Sequence, residues 1–385
     1  MKRLRVGIVF GGRSVEHDVS LVSARSVLSV LDPARYEVVP IGVTREGQWL
    51  TSRDVQRMLD DGVKSGTGDR TALLADPSVG GLVRLGDDGR VAKGGAAGEI
   101  LDVVFPLIHG GYGEDGRLQG LLEMADLPYV GSGVLGSAVG MDKEVGKRLF
   151  TAAGIPVVPS VLVRAHAWAS APADLLATIE REIGYPCFVK PSGQGSSVGV
   201  SRARHAQEAR EAVEEALSFD DKVLVERAID AREIEVAVLG NDAPEASVAG
   251  EIVTTHEFYD YEAKYHDDAT RLVIPAEIPQ ALSERLRALA LAGFRALELS
   301  GMARVDFLVD RNTLAPYLNE VNTLPGFTPV SMYPKLWEAS GLSYPSLVDR
   351  LIELALERHE AKTRLRTTRS PQGEAREAGK ETRGA

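Results

Sequence analysis

Hydrophobic and polar positions follow three patterns along this chain. Short, nearly continuous apolar runs at Arg5–Phe10, Tyr36–Val43 and Asp102–Ile108 read as strands buried on both faces. Between the first two, Val19, Val22, Val27, Val30 and Leu31 recur near helical spacing and predict a helix over about Val15–Leu31, after a tight turn at Gly11-Gly12. Strand, glycine turn, helix, strand is the opening of a parallel open sheet. Further helices are predicted at Leu118–Ala125, Asp142–Ala153, Ala171–Ile183, Pro279–Leu299 and Tyr344–Ala361, and further strands at Ser160–Val163, around Phe188–Lys190, at Val198–Val200, at Val223–Val225 and from Glu233. Residues 60–98 are rich in Gly and Asp with little periodicity, and read as irregular surface with short strands. Residues 323–333 read as a loop, and residues 362–385 as a polar, Arg-rich tail, disordered and dispensable for chemistry.

The third pattern is alternation. Ala303–Val309 and Leu314–Val321 flank the polar turn Asp310-Arg311-Asn312 and read as an antiparallel hairpin. Alternation puts Arg304 with Asp306 on one face, and Glu320 with Asn322 on one face, beside a core of Val305, Phe307, Leu318 and Val321. Two carboxylates and an amide oxygen suit Mg²⁺, and a neighbouring arginine suits negative charge that develops in a transition state.

Other candidate chemistry falls at strand ends. In an open parallel sheet the loop after the first strand faces the ligand crevice, which brings Arg13, Ser14, Glu16 and His17 towards a site. Read alone, Glu16 fits a carboxylate favoured by a helix N-terminus better than it fits a substrate ligand. His109 ends a strand and opens the glycine-rich HGGYGEDG. In FVKPSGQGSSVGV, a strand bearing Lys190 enters a loop of small residues whose N–H and hydroxyl groups suit phosphate. It is not a P-loop, because the lysine precedes the glycines. Glu226 ends a strand and suits an adenine amino group or a ribose hydroxyl. Residues 254–270 mix aromatics with charges and read as a mobile lid.

Composition narrows the partners. The 385 residues carry a net charge of −11 and no basic, aromatic-interleaved patch, which argues against nucleic acid. The single cysteine, Cys187, excludes an internal disulfide framework and reads as buried and inert. The apolar part of MKRLRVGIVFGG is too short for a signal peptide core, and no apolar run reaches the roughly 18 residues of a membrane helix. The expectation is a cytoplasmic protein without a membrane partner.

Seven blocks in order, VFGGRSVEHDVS, PLIHGGYGEDG, GMDKEVGK, FVKPSGQGSSVGV, HEFYDYEAKY, ARVDFLVD and LNEVNTLPGFTPVSMYPKL, resemble the D-alanine–D-alanine ligase family of ATP-grasp enzymes. The resemblance implies an α/β (α+β) chain in three parts: a preATP-grasp domain at 1–135, a central subdomain at 136–230 and a C-terminal domain at 231–361 with a lid at 254–275. ATP would lie between the last two parts. It implies ATP-dependent joining of two D-alanines through an acyl phosphate, for peptidoglycan precursor synthesis, by a homodimer.

By the same resemblance Asp306, Glu320 and Asn322 hold two Mg²⁺ ions, with Mn²⁺ as an alternative. Arg304 and the Gly326 N–H hold the tetrahedral oxyanion. Lys143, Lys190 and Lys264 serve the phosphates. Glu226, Ile229 and Glu233 serve adenine and ribose, with Arg227 where relatives commonly have Lys; Ser197, Phe258 and Asn319 join the nucleotide set. Glu16 takes the first substrate's ammonium with His109 near it, and Ser196 and Tyr265 link with Glu16 to close the lid. Ser331 and Met332 take the second substrate's carboxylate. Tyr265 favours an amine nucleophile over D-lactate, whereas D-serine is less firmly excluded. Other ATP-grasp ligases, carboxylase-type chemistry and a dehydrogenase-like reading are the alternatives; against the last, Gly11-Gly12-Arg13-Ser14 is not GxGxxG.

Overall fold

The structure, a computed structural model, describes residues 3–86, 88–91, 99–253 and 271–366. Three sheets follow one another. The first contains β1 (Leu4–Gly11), β2 (Tyr36–Val43), β3 (Trp49–Thr51), β4 (Asp69–Leu73), β5 (Leu82–Arg84) and β6 (Val103–Pro106), in the order β5-β4-β3-β2-β1-β6. Strand β1 is parallel to both β2 and β6, as the strand–helix–strand pattern predicts. Strands β3, β4 and β5 each pair antiparallel with their neighbours, so the sheet is mixed beyond the parallel strands with which the pattern opens. The link from Val43 to Trp49 is far shorter than the dozen or so residues a parallel crossover needs. Gly11 ends β1 at φ +88°, where a Cβ would stand 2.3 Å from the Val43 carbonyl oxygen. Only glycine turns the chain there without strain.

Helices α1 (His17–Leu28), α2 (Val55–Asp60), α3 (Arg117–Met124) and α4 (Val134–Met141) complete this part. Helix α1 is shorter at both ends than its apolar spacing suggests, although Leu31 beyond it is still buried.

The second sheet, β7 (Ser160–Arg164), β8 (Cys187–Pro191), β9 (Ser201–Ala203) and β10 (Lys222–Arg227), runs β7-β10-β8-β9 and is antiparallel throughout. The return strand begins at Ser201; residues 198–200 belong to the preceding loop. Helices α5 (Lys143–Ala152), α6 (Ala165–Ser170), α7 (Pro172–Glu182) and α8 (Ala206–Ala216) accompany it. Helix α8 leaves a faint sequence signal because its core face is Ala209, Ala212, Val213 and Ala216. Cys187 is free and buried in this core, where burial pushes its thiol up to about 11 and out of reach of nucleophilic use at neutral pH.

The third sheet, β11 (Ala231–Gly240), β12 (Glu245–Val253), β13 (Arg271–Val273), β14 (Gly301–Asp310) and β15 (Pro316–Asn322), runs β13-β12-β11-β14-β15. Helix α9 (Gln280–Ala296) covers one face, burying Leu286, Ala290 and Phe294 against Val305, Phe307 and Leu318. Each large side chain so buried contributes about 1.5–3 kcal/mol. Strand β13 occupies residues expected in the lid; the rest of that span, 254–270, lies outside the described residues. Helix α10 (Met332–Ala339) begins where the sequence reads as a loop, and α11 (Tyr344–Thr363) runs past the expected tail boundary. The tail expectation from residue 367 onward lies outside the described residues. Tyr333, Trp337, Leu347 and Leu351 of these last two helices share a core with Val6, Ile8 and Phe10 of β1. The end of the described chain therefore packs on its start.

Candidate active site

Strands β14 and β15 form the hairpin the alternation predicts, with Arg304 opposite Asn322 and Asp306 opposite Glu320. Leu314 is not in the strand: it lies in the turn, at φ 56°. The register shifts after Asp306, because Phe307 faces Leu318 and Asn319 is the extra residue of a bulge. A regular strand would have put Leu318 and Glu320 on one face. The bulge lets Leu318 and Val321 both enter the core while Asn319 and Glu320 both line a cavity.

Two cavities meet at this hairpin, with Lys143, Gly195, Ser196, Glu235, Ile252, Arg304 and Glu320 common to both walls. The larger, about 700 Å³, lies between the second and third sheets. Phe188, Lys190, Ser197, Glu226, Arg227, Ile229, Glu233, Asp306 and Asn319 are in its wall. The smaller, about 120 Å³, is bounded by Glu16, His109, Gly110 and Glu114 from the first part of the chain and by Asn322, Gly326, Ser331 and Met332 from the last.

Arg304 is the electrostatic centre. Its Nε and Nη2 donate to the two oxygens of Asp306 at 2.8 and 2.7 Å, and Nε stands 2.9 Å from Glu235 Oε2. Burial works against its charge, but Asp306 and Glu235 outweigh it and hold the guanidinium well above its usual value. Asn322 Nδ2 also donates to Asp306, at 2.8 Å. Lys143 is aimed by the start of α5: Asp142 caps that helix, accepts from Ser192 and pairs with Lys222. Its ammonium reaches Gln194 O at 2.7 Å and Glu320 at 3.2 Å, joining the small-residue loop to the hairpin. In that loop Ser196 and Ser197 hold positive φ, 48° and 57°, a strained conformation that only surrounding structure maintains. Ser196 donates to Glu16 at 2.5 Å.

His109 Nδ1 faces the Leu324 carbonyl at 3.2 Å, so Nδ1 carries the proton and Ser23 donates to Nε2 at 2.9 Å. Burial lowers its basicity, against the pull of Glu16 and the Leu324 carbonyl. Ser331 is held by Thr328, which donates its N–H to the Ser331 hydroxyl at 2.9 Å. Arg227, in the wall of the larger cavity, donates its guanidinium to the Ile183 and Glu182 carbonyls at the end of α7. Phe258, Lys264 and Tyr265 lie outside the described residues.

Three residues here carry no sequence-level signal of their role. Glu235 faces Asp306 only through the β11–β14 register. Lys147 sits one turn beyond Lys143 and turns inward. Glu114 is visible in HGGYGEDG, but nothing in that motif assigns it a part. Gly110 separates it from Glu16: its N–H donates to Glu114 at 2.6 Å, and a Cβ on it would stand 2.7 Å from Glu16 Oε2. Burial and then the Glu16 charge raise Glu114 well above the usual carboxyl range. A raised value means that the neutral acid is the form the fold favours, so this contribution is lost as pH rises through the folded value. Glu114→Gln keeps the acceptor and removes the charge. It is therefore expected to melt higher than the parent at pH 9, by about 2 °C or more, and by less at pH 6. Calorimetry at the two pH values checks this; an equal shift at both refutes it.

Among the described residues no three His, Cys, Asp or Glu side chains gather in metal-binding fashion, and no helix is long and apolar enough to cross a membrane. The hairpin's oxygen set is instead two carboxylates and one amide. That is a fit for Mg²⁺, which takes few protein ligands and completes its shell with water and phosphate.

Comparison with known proteins agrees along the chain. Residues 5–132 match the family model described as D-ala D-ala ligase N-terminus, and residues 149–353 the one described as D-ala D-ala ligase C-terminus. A D-alanine–D-alanine ligase of Geobacillus thermodenitrificans is 48% identical over 360 residues, covering 94% of this chain and 97% of that protein. Among solved structures, the D-alanine-D-alanine ligase of Coxiella burnetii is similar with a TM-score of 0.79 at 37% identity, covering 94% of this chain and 98% of that one. The VanG D-Ala:D-Ser ligase of Enterococcus faecalis is similar with a TM-score of 0.81 at 34% identity, covering 92% of this chain and 100% of that one.

Proposed function

This chain belongs to the D-alanine–D-alanine ligase family, and from that premise we propose that its two adjoining cavities divide the reaction between nucleotide and amino acids. It is an ATP-dependent ligase of the ATP-grasp fold that joins two D-alanine molecules. The observation that carries the proposal is the hairpin, which sets Arg304, Asp306, Glu320 and Asn322 at the junction of the cavities.

ATP occupies the larger cavity, with its base and ribose along Glu226, Ile229 and Glu233 and its phosphates towards Lys190, Lys143 and the loop at Ser196-Ser197. Asp306, Glu320 and Asn322 would hold Mg²⁺, which when bound supplies positive charge to the phosphate oxygens. The first D-alanine lies in the smaller cavity with its ammonium on Glu16. Its carboxylate attacks the terminal phosphorus, giving an acyl phosphate and ADP. The amine of the second D-alanine, whose carboxylate is held by Ser331 and the start of α10, attacks the acyl carbon. Arg304 and the Gly326 N–H stabilise the resulting oxyanion, which collapses with loss of phosphate. The product feeds peptidoglycan precursor synthesis, and the family resemblance suggests a cytoplasmic homodimer.

The test is phosphate release with ATP, Mg²⁺ and D-alanine, alone or with D-serine or D-lactate, with product masses read out. D-Alanyl-D-alanine is expected as the main product, and release is expected to stop when Mg²⁺ is chelated. A dominant mixed product with D-serine, the second substrate named for the Enterococcus relative, would reassign the second subsite. Release that survives chelation would remove the metal from the hairpin.

A further inference from the structure

The larger cavity has a charge behind its wall that the reaction above does not use. Lys147, on α5, is buried and does not reach the cavity surface. Its Nζ lies 2.9 Å from Glu226 Oε1 and donates to the Val158 carbonyl at 3.4 Å. The other oxygen of Glu226 is 2.7 Å from Lys190, whose ammonium also reaches Asn319 at 3.2 Å. A buried carboxylate thus stands between a lysine at the cavity wall and a lysine behind it.

We propose that Lys147 is a positioning residue for base selection: it keeps Glu226 an anionic acceptor for the adenine amino group once Lys190 turns towards the phosphates. The inference rests on the assignment of adenine to the larger cavity. Burial by itself would protonate Glu226, but Lys190 and Lys147 outweigh it and hold the carboxyl below its usual range. Burial in turn pulls Lys147 below the usual ammonium value against Glu226, while Lys190 repels it and Glu320 supports it. The Lys147–Glu226 contact lies wholly behind the wall, so a nucleotide that recruits Lys190 leaves it in place. A carboxylate accepts from the adenine amino group and repels the carbonyl oxygen that replaces it in hypoxanthine. A protonated carboxyl group donates to that oxygen instead. Lys147 therefore decides which base the pocket prefers, through Glu226 and without touching the nucleotide.

The experiment compares kcat and KM for ATP and inosine triphosphate in the parent, Lys147→Met, Lys147→Arg, Glu226→Gln and the Lys147→Met/Glu226→Gln pair. The parent is expected to prefer ATP. Lys147→Met should lower that preference about tenfold or more, as expected for a hydrogen bond to a charged acceptor, chiefly through the KM for ATP. Lys147→Arg should restore most of it. Glu226→Gln should lose it too, and adding Lys147→Met to that variant should change the ratio no further. A Lys147→Met enzyme that keeps the parent's ratio, or loses both nucleotides alike, overturns the inference. So does a further change in the pair, which settles the matter even if Lys147→Met alone does not fold, since the pair removes both members of the buried Lys147–Glu226 contact and leaves Lys190 with Asn319 at the cavity wall. A parent that does not distinguish the two nucleotides defeats the adenine assignment itself. A preference that survives Lys147→Met defeats only the role of Lys147.

Discussion

Replacing Asp306 by alanine should reduce ATP- and D-alanine-dependent phosphate release by about 10³-fold or more, equivalent to about 4 kcal/mol of barrier. The size follows from how many partners one carboxylate serves. Asp306 accepts from Arg304 twice and from Asn322 once, opposite Glu320 at the junction of the cavities. Its loss removes a proposed metal ligand and frees Arg304 from the orientation the oxyanion requires. Arg304 keeps Glu235, and the core on the other face of the sheet is untouched. The variant should therefore still melt cooperatively. Phosphate release near the parental rate in a folded Asp306→Ala protein would take the chemistry away from the hairpin.

The second large effect is expected at Arg304, in both rate and stability. Arg304→Met removes a group proposed to meet the oxyanion, at a cost of about 10²–10³ in kcat. It also leaves Asp306 and Glu235 close together in a buried setting without their cation, a change worth about 3–5 kcal/mol of destabilisation. The two carboxylates would be forced towards protonation, so their folded values would rise. The penalty should then shrink as pH falls and the neutral acids become available. Turnover at neutral pH and melting from neutral to mildly acid pH read out both parts. A variant that melts like the parent at neutral pH would show that the three charges are not coupled, and one with parental kcat would separate Arg304 from the oxyanion.

Much of this site is legible in the amino-acid sequence because its residues are close along the chain or repeat a local period. Arg304 and Asp306 are two residues apart on one strand, and Glu320 and Asn322 on the next, so alternation and a short turn suffice to bring them together. Lys190 and the serines after it are likewise one local unit. What alternation misjudges is how: Leu318 and Glu320 would share a face had Asn319 not bulged out of the ladder. A bulge depends on what each face must pack against, and single-strand periodicity carries no record of that.

The residues that sequence reasoning misses owe their roles to distant contacts. Glu235 becomes a partner of Arg304 through strand pairing, and Lys147, on α5, becomes a partner of Glu226 near the end of β10. Glu114 owes its raised basicity to burial and to Glu16, on a different loop. From sequence, each of these side chains looks like any solvated charge.

Taken by itself, the order of residues determined the strands and helices with strong periods, the hairpin with its polar face, the glycine turn at Gly11 and the ligase family. Those features depend on local backbone preference and on motifs a few residues long. Only the tertiary structure decided that β3, β4 and β5 pair antiparallel in the first sheet, that α10 and α11 share a core with β1, and which buried charges neutralise one another. Such outcomes depend on burial and on pairings between segments tens to hundreds of residues apart, where the energy of a charge is set by its surroundings rather than by its neighbours in the chain.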